Sequence, residues 1–150
     1  MTECIFCKIV NKELPSHKVW EDSAHLAFLT IFPNTEGATV VIPKKHYSSY
    51  AFDNSDQVLT ALILAAKTVA KMLDSQFSDV GRTALVLEGF GVDHLHAKLF
   101  PMHGTKQKEW QAIHSDVRMY FEQYPGYISS HDGERADDAR LAALAKRLRR

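Results

Sequence analysis

The amino-acid sequence predicts an α+β fold built around an antiparallel sheet. Three stretches rich in β-branched and aromatic residues follow one another with only short turns between them, which favours antiparallel pairing over βαβ units. One long amphipathic stretch, 55–75, predicts a helix that lies on one face of the sheet. A further apolar segment precedes the stretch 93–100, in which polar and apolar residues alternate with the period of a strand.

Length and composition are those of an ordinary globular protein. The chain has 150 residues, a hydrophobic fraction of 45% and a charged fraction of 24%, which suit one domain with a substantial core. Basic and acidic residues balance at 18 each, so no net field indicates a nucleic-acid partner or a membrane surface. We expect a single domain over 1–150, with a core over 1–105 and a C-terminal extension, 106–150, packed on it.

The sequence contains no segment that predicts a membrane span or a secretion signal. The longest apolar run, 61–66, is far too short to cross a bilayer. The first four residues are not a basic stretch followed by an apolar one. We therefore expect a cytoplasmic protein with no membrane partner and no specific nucleic-acid partner.

The first predicted element is a short helix that places Cys4 and Cys7 one turn apart. A Cys-x-x-Cys pair has three interpretations: zinc ligands, a redox pair or two buried small hydrophobic residues. A redox pair usually follows a strand, and no strand precedes this pair. A structural zinc site needs four ligands, so the zinc interpretation requires two more, for which neutral histidines are the available candidates.

The sheet segments come next along the chain. In order, they are a strand over 17–21, a turn at 22–23, a strand over 24–31, a turn over 33–37 and a strand over 38–43. The β-branched composition of the third strand is typical of a central position in a sheet. This strand leads directly into a basic stretch that ends in His46.

The long helix has Ser55 as its predicted N-cap, and its apolar residues recur at three- and four-residue spacing. A strand over 82–87 follows it. Beyond Pro101 the pattern weakens. We predict there a helix over 109–120, a short strand over 127–129, a turn over 131–133 and a helix over 137–148 whose acidic start and basic end suit the helix dipole.

The alternating stretch 93–100 carries the residues best suited to chemistry. Because a strand turns successive side chains to opposite faces, His94, His96 and Lys98 share one face, and the apolar residues between them share the other. Two imidazoles and an ammonium on one face suit a phosphate or a metal ion. The alternative is an exposed strand with solvated histidines.

At six places the sequence resembles the histidine triad (HIT) family. The matching pieces occur in the family's order and at about its spacing: 4–9, 13–16, 20–22, 27–28, 41–46 and 94–96. The resemblance implies a HIT-like fold, with a five-stranded or larger antiparallel sheet and flanking helices, commonly paired as a homodimer. It also implies binding of a nucleotide or nucleotide-like small molecule and cleavage at the α-phosphorus of nucleoside phosphoramidates or dinucleoside polyphosphates.

The resemblance also implies roles for particular residues. The family's middle histidine attacks phosphorus, and here that residue is His96; a neutral imidazole can form a nucleotidyl-histidine that water then hydrolyses. In zinc-carrying members of the family, the zinc ligands occupy positions that correspond here to Cys4, Cys7, His46 and His94, which implies a structural zinc held by these four residues. The family's residues around the base correspond to Ile5, Phe6, Ile9, Phe28 and Ile31.

Several positions depart from the family pattern. Lys98 stands in place of the third histidine, and a lysine can neutralise phosphate charge but is a poor proton donor at neutral pH. Thr30 stands where many members have an aspartate that holds the ribose, and Glu88 stands where an asparagine usually precedes the glycine. The loop 90–93 is shorter than usual. A glutamate beside a phosphate is unfavourable unless it pairs with Lys98 or binds a cation.

Two functions therefore remain open at the level of the sequence. One is a nucleotidyl hydrolase or transferase that acts through His96, with Lys98 stabilising phosphate charge. The other is a zinc-stabilised protein that binds a nucleotide or phosphate with little or no turnover, which the altered positions favour and the retained His96 disfavours. His103 and His131 could supply a missing proton donor, although each is more simply an ordinary loop histidine.

Overall fold

The computed structural model describes residues 4–129 and 134–148, and the predicted α+β fold is confirmed there. The elements in chain order are α1 (Ile5–Val10), β1 (His17–Glu21), β2 (His25–Leu29), β3 (Thr39–Pro43), a 3₁₀ turn (Ala51–Asp53), α2 (Asp56–Gln76), β4 (Thr83–Val86), β5 (Ala97–Pro101) and α3 (Asp138–Leu148). The strands form one five-stranded sheet of order β1-β2-β3-β5-β4. Each neighbouring pair is antiparallel.

Different helices cover the two faces of the sheet, because side chains alternate along each strand. On one face α2 packs through a buried stripe against alternate residues of the strands, and this core includes Leu62, Ala66, Val69, Ala27, Val41, Leu95, Ala97 and Leu99. On the other face Phe6 of α1 packs in a second core with Leu26, Phe28, Val40 and Ile42. The central strands are therefore buried on both sides.

Short polar side chains fix the ends of several elements. Ser55 accepts a hydrogen bond from the Val58 amide at 3.4 Å, which confirms the predicted N-cap of α2. One carboxylate oxygen of Asp22 accepts from the amides of Ala24 and His25, at 2.8 and 2.6 Å, and closes the predicted turn. The Thr30 hydroxyl accepts from the Phe32 amide at 3.2 Å. This local bond belongs to a turn, so β2 ends at Leu29, two residues before the predicted end.

The strand predicted over 93–100 is shorter than expected, because β5 begins only at Ala97. Its pairing with β3 ends where Val41 lies opposite Ala97, and continuing the register by two residues would bring Pro43 into the ladder. Proline has no amide hydrogen to donate, so the ladder stops there. The Leu95 amide donates instead to the Tyr47 carbonyl at 3.0 Å.

The chain divides into two compact units, Met1–Glu109 and Trp110–Arg150. In the second unit the helix α3 is confirmed, whereas the predictions of a helix over 109–120 and a strand over 127–129 are wrong. The four residues of the expected apolar stripe in that helix are exposed, namely Trp110, Ile113, Val117 and Tyr120. An isolated helix of that length is marginal in water without a buried face to stabilise it.

Two further predictions concern the second unit. The turn predicted over 131–133 lies outside the described residues. The packing of residues 106–150 on the core as one domain stays a prediction. Throughout 4–129 and 134–148, no helix combines the length and apolar character needed to cross a lipid bilayer.

Candidate functional site

Four side chains from three separate parts of the chain meet beside α1. Cys4 and Cys7 lie at the start of this helix, His46 lies beyond β3, and His94 precedes β5. Their ligand atoms all lie within 4.8 Å of one another. The sulfur-to-Nδ1 distances are 3.4 Å from Cys4 to His94, 3.4 Å from Cys7 to His46 and 3.6 Å from Cys7 to His94. The fold thus gathers the four residues singled out in the sequence into a cluster that could hold a metal ion.

The surroundings of His94 leave one ring nitrogen free for such a role. Its side chain is fully buried, and Nε2–H donates to the Pro43 carbonyl oxygen at 2.8 Å. Because a carbonyl only accepts, Nε2 holds the proton and Nδ1 presents its lone pair to the thiols. Burial lowers the pKa of His94 below the ordinary imidazole range, and the nearby His46 lowers it further. A carbonyl partner of this kind is typical of metal-bound histidines.

His96 is also buried, with 3% of its surface exposed, and its tautomer is fixed in the same way. Nδ1–H donates to the His94 carbonyl oxygen at 2.6 Å, so Nε2 carries the lone pair. Burial lowers the pKa of His96, and the positive charge of Lys98 lowers it further. The ring packs edge-to-face on Phe6 at a centroid distance of 5.4 Å. His96 is therefore held as a neutral imidazole, and the alternative of solvated histidines is wrong.

The free nitrogen of His96 is not sealed inside the protein. Among the described residues, no buried side-chain nitrogen or oxygen lacks a hydrogen-bond partner. Within this part of the chain, Nε2 of His96 makes no hydrogen bond, so this atom keeps a small contact with solvent. The lone pair of the neutral imidazole is therefore not engaged by a donor, which a nucleophile requires.

Lys98 and Glu88, two of the positions that depart from the family pattern, pair with each other. The Lys98 ammonium donates to one carboxylate oxygen of Glu88, whose side chain is only 8% exposed. The other carboxylate oxygen accepts from the Phe90 amide at 3.0 Å. A buried carboxylate needs such partners, so the two substitutions compensate each other.

The residues proposed for a pocket wall divide into two groups. Phe6 and Phe28 lie in the core beside His96, with their rings edge-to-face at 5.5 Å, and Ile9 packs against the same core. Ile5 and Ile31 lie outside that core, at 45% and 71% exposure. The Thr30 hydroxyl is engaged in the turn described above.

Backbone groups also shape the site, and the sequence analysis did not find them. The Pro43 carbonyl accepts from and orients His94, and the Ser49 amide donates to an Asp93 carboxylate oxygen at 3.2 Å. A backbone group carries no signature of residue type, so its role could not be identified from the sequence alone.

His103 is a structural residue rather than a proton donor for His96. It follows the end of β5, whereas His96 precedes its start. Its Nδ1 lies 3.1 Å from an Asp79 carboxylate oxygen, and its Nε2 lies 2.9 Å from the Glu36 carbonyl oxygen. The other candidate donor, His131, lies outside the described residues.

We expect the contribution of His103 to stability to depend on pH. Both ring nitrogens face acceptors, and the bond to the Glu36 carbonyl, followed by that to Asp79, raises the pKa of His103 above 6.5. The protonated ring therefore stabilises the fold below the pKa of the unfolded state, and this contribution disappears as the pH rises through the folded-state pKa. Replacing His103 with asparagine should lower the Tm more at pH 5.5 than at pH 9.

A difference in Tm between wild type and variant that does not depend on pH would contradict this account. The control is exposed His17 changed to alanine, for which we expect no such pH dependence.

Comparisons with known proteins agree with this fold. Residues 11–105 match the HIT domain. An uncharacterized HIT-like protein of Methanocaldococcus jannaschii is 37% identical over 106 residues, which are 67% of this chain and 79% of the relative. An adenosine 5'-monophosphoramidase of Saccharomyces cerevisiae is 37% identical over 103 residues, which are 69% of this chain and 65% of the relative.

Solved structures agree as well. A crystal structure of a Streptococcus mutans protein superposes with a TM-score of 0.69 at 28% identity, covering 99% of this chain and 85% of that one. The family match extends over more than half of the chain and includes His46, Glu88, His94, His96 and Lys98. The chain therefore belongs to the HIT family.

Proposed function

We propose that the chain is a nucleotide-binding hydrolase that cleaves at the α-phosphorus of nucleoside phosphoramidates or dinucleoside polyphosphates. The single observation that carries this proposal is the state of His96. Its Nδ1–H is tied to a backbone carbonyl, and no hydrogen bond among the described residues engages its Nε2 lone pair. Membership of the HIT family and the likeness to a yeast adenosine 5'-monophosphoramidase support the same reaction class.

The proposed reaction proceeds in two displacements at phosphorus. Nε2 of His96 forms a bond to the α-phosphorus, and the bond from phosphorus to the leaving group breaks, with the electron pair going to the leaving group. Water then attacks the nucleotidyl-histidine and releases the nucleoside monophosphate. One water is consumed in total: its hydroxyl goes to phosphorus and its proton to the leaving group.

The other proposed site residues assist His96. Lys98, partly exposed beside it, would neutralise charge on the phosphate as it reacts. The apolar residues Phe6, Phe28 and Ile9 would exclude water on one side of the site. We keep Ile5, Ile31 and Thr30 as candidate contacts to the nucleoside, since Ile5 and Ile31 are exposed and Thr30 adjoins Ile31.

We further propose that the cysteine–histidine cluster holds a structural zinc ion. Zinc bonds of about 2.3 Å to sulfur and 2.0–2.1 Å to nitrogen place tetrahedral ligands roughly 3.5 Å apart. The sulfur–nitrogen distances of 3.4, 3.4 and 3.6 Å agree with this spacing. Four protein ligands leave no coordination position open for substrate or water. A zinc ion there would therefore link α1 to the segments that carry His46 and His94 and would not take part in the reaction.

A second candidate function is binding of a nucleotide or phosphate with little or no turnover. The observation that favours it is the Glu88–Lys98 pair, because the family's third histidine is replaced here by an ammonium that is engaged with a carboxylate.

The assembly and location of the chain are also proposals. We infer a homodimer from the family alone. We infer a cytoplasmic location because Cys4 and Cys7 are free thiols in a cluster suited to metal, and a reducing compartment keeps thiols in that state.

Incubation of the purified chain with adenosine 5'-monophosphoramidate and, separately, with a diadenosine polyphosphate tests the two functions. The hydrolase proposal expects release of adenosine monophosphate, measured by chromatography. Binding of these nucleotides without any release would favour the second candidate, and neither binding nor release would exclude both.

A further inference from the structure

The cysteine–histidine cluster and His96 are joined by two physical connections. The first runs through His94, which belongs to the cluster. Its Nδ1 lies 3.4 Å from the Cys4 sulfur and 3.6 Å from the Cys7 sulfur. Its backbone carbonyl oxygen accepts from Nδ1–H of His96 at 2.6 Å. One residue therefore offers its ring to the cluster and its carbonyl to the imidazole that would attack phosphorus.

The second connection is the ring of Phe6, which lies between the two cysteines in the sequence. Phe6 is buried. Its ring packs edge-to-face on His96 with the centroids 5.4 Å apart and on His94 with the centroids 5.8 Å apart. Edge-to-face packing favours particular orientations of the two rings. The orientation of the His96 imidazole therefore depends on the position of Phe6, and hence on the position of α1.

Side chains hold α1 against the sheet. This helix has six residues, and its N-cap residue, Cys4, makes no side-chain capping hydrogen bond. The backbone hydrogen bonds described for residues 4–14 join these residues to one another. A helix this short is unstable in water on its own. Its position depends on the apolar packing of Phe6, Ile9 and Val10 in the second core and on the two cysteines at the cluster.

The two cores of the protein differ in their dependence on α1. The core around α2 lies on the other face of the sheet, and no residue of α1 belongs to it among those described. The second core contains Phe6 and would lose part of its cover if α1 moved. Movement of α1 would therefore affect His96 while α2 and the sheet beneath it stay folded.

We propose that Phe6 is a positioning residue that couples occupancy of the cysteine–histidine cluster to the orientation of His96. When the cluster holds a metal ion, both cysteines are bonded and Phe6, between them, is fixed against the imidazole. When the cluster holds none, the cysteines no longer anchor α1, and the contact between Phe6 and His96 is loosened. This inference rests on the proposed zinc site and on the proposed role of His96.

Nuclear magnetic resonance tests the coupling without any turnover. Rings at a centroid distance of 5.4 Å have hydrogen atoms close enough for a nuclear Overhauser effect. We expect this signal between Phe6 and His96 in the zinc-loaded wild-type chain, and removal of zinc with a chelator should weaken it about twofold or more. Amide hydrogens of α1 should then exchange faster, whereas those on the buried face of α2 should stay protected. Added zinc should restore the signal.

A two-way comparison of zinc removal and Phe6 substitution tests the consequence for the reaction. Zinc removal should lower kcat of the wild-type chain by about 10-fold, because a small misplacement of a reacting group is costly. Zinc-loaded Phe6→Leu should already show a similar loss, and zinc removal should then change its kcat by less than about threefold. If Phe6 served only as a contact to the nucleoside, its loss would raise KM instead. Exposed Phe52, changed to leucine, is a matched control that should keep the full zinc dependence.

Three results would overturn this inference. One is an unchanged signal between Phe6 and His96 after zinc removal, and another is an equal effect of zinc removal on kcat in wild type and Phe6→Leu. The third is loss of both cores together on zinc removal, seen by circular dichroism, because the coupling requires the α2 core to persist. The wild-type measurements decide the matter even if Phe6→Leu fails to fold.

Failure of the proposed function gives a different result. A wild-type chain that hydrolyses no nucleotide would overturn the proposed reaction, and the magnetic resonance experiment would still decide whether Phe6 follows the metal. A chain that binds no zinc would remove the proposed zinc site and this coupling together, while hydrolysis could persist.

Discussion

Replacing His96 with alanine is expected to lower nucleotide hydrolysis on the order of 10³-fold or more. The reason is that the only atom proposed to bond to phosphorus is removed, while the core of Phe6 and Phe28 beside it remains. The loss should appear in kcat, because the interaction is made in the transition state. Steady-state release of adenosine monophosphate from adenosine 5'-monophosphoramidate measures it.

Two controls separate a lost nucleophile from a damaged fold. Exposed His17 lies on an edge strand, and its change to alanine should leave activity intact. His96→Gly leaves a space of imidazole size, so added imidazole should restore part of the activity in that variant. Acid quenching during turnover should also trap a nucleotide adduct on the wild-type chain, seen by intact mass. Activity within tenfold of wild type in His96→Ala would remove this residue from the reaction.

Replacing Cys4 with serine is expected to remove bound metal and to lower the Tm. Metal analysis of the wild-type chain should find about one zinc per chain, because the cluster brings two sulfur and two nitrogen atoms within 4.8 Å of one another and these are ligands that zinc prefers. A ligand present at 1,000 times its Kd stabilises a fold by about 4 kcal/mol. For a domain of this size that corresponds to a fall in Tm of roughly 10 °C or more.

A second variant within the cysteine–histidine cluster and one control variant outside it accompany this prediction. Cys7→Ser should behave as Cys4→Ser does, and a strong chelator should lower the Tm of the wild-type chain to about the same value. His114 is exposed and distant in sequence from the ligands, so His114→Ala should change neither metal content nor Tm. A wild-type chain that contains no zinc after expression in zinc-supplemented medium would show that the thiols are merely half-buried side chains.

Much of the sheet could be predicted from the sequence because alternation and turn chemistry are local properties. Asp22 closes its turn through its own carboxylate, and Ser55 caps the helix that its position predicts. The division of residues 94–99 between two faces also follows from the strand period. Local pattern could not show that both faces of the sheet are covered. His94 and His96 are buried by Phe6, which is about 90 residues away in the chain.

The errors have an equally specific cause. The helix predicted over 109–120 has a regular apolar stripe, but a stripe becomes a helix only when another surface buries it, and these side chains are exposed. The strand at 93–96 fails because Pro43, on the neighbouring strand, cannot donate to a ladder. In the first case a packing surface is missing, and in the second case the neighbouring residue cannot pair. Both depend on residues distant in the chain, so the local sequence pattern does not reveal them.

By itself the sequence determined the positions of the five strands, apart from the start of β5, together with the long helix, the face shared by His94, His96 and Lys98, and the family whose pieces recur in order. Only the tertiary structure decided which nitrogen of each buried histidine keeps its proton, because the acceptors are the backbone carbonyls of Pro43 and His94. It also decided that Glu88 and Lys98 compensate each other. Such pairings depend on where the chain returns in space, which residue type and spacing do not specify.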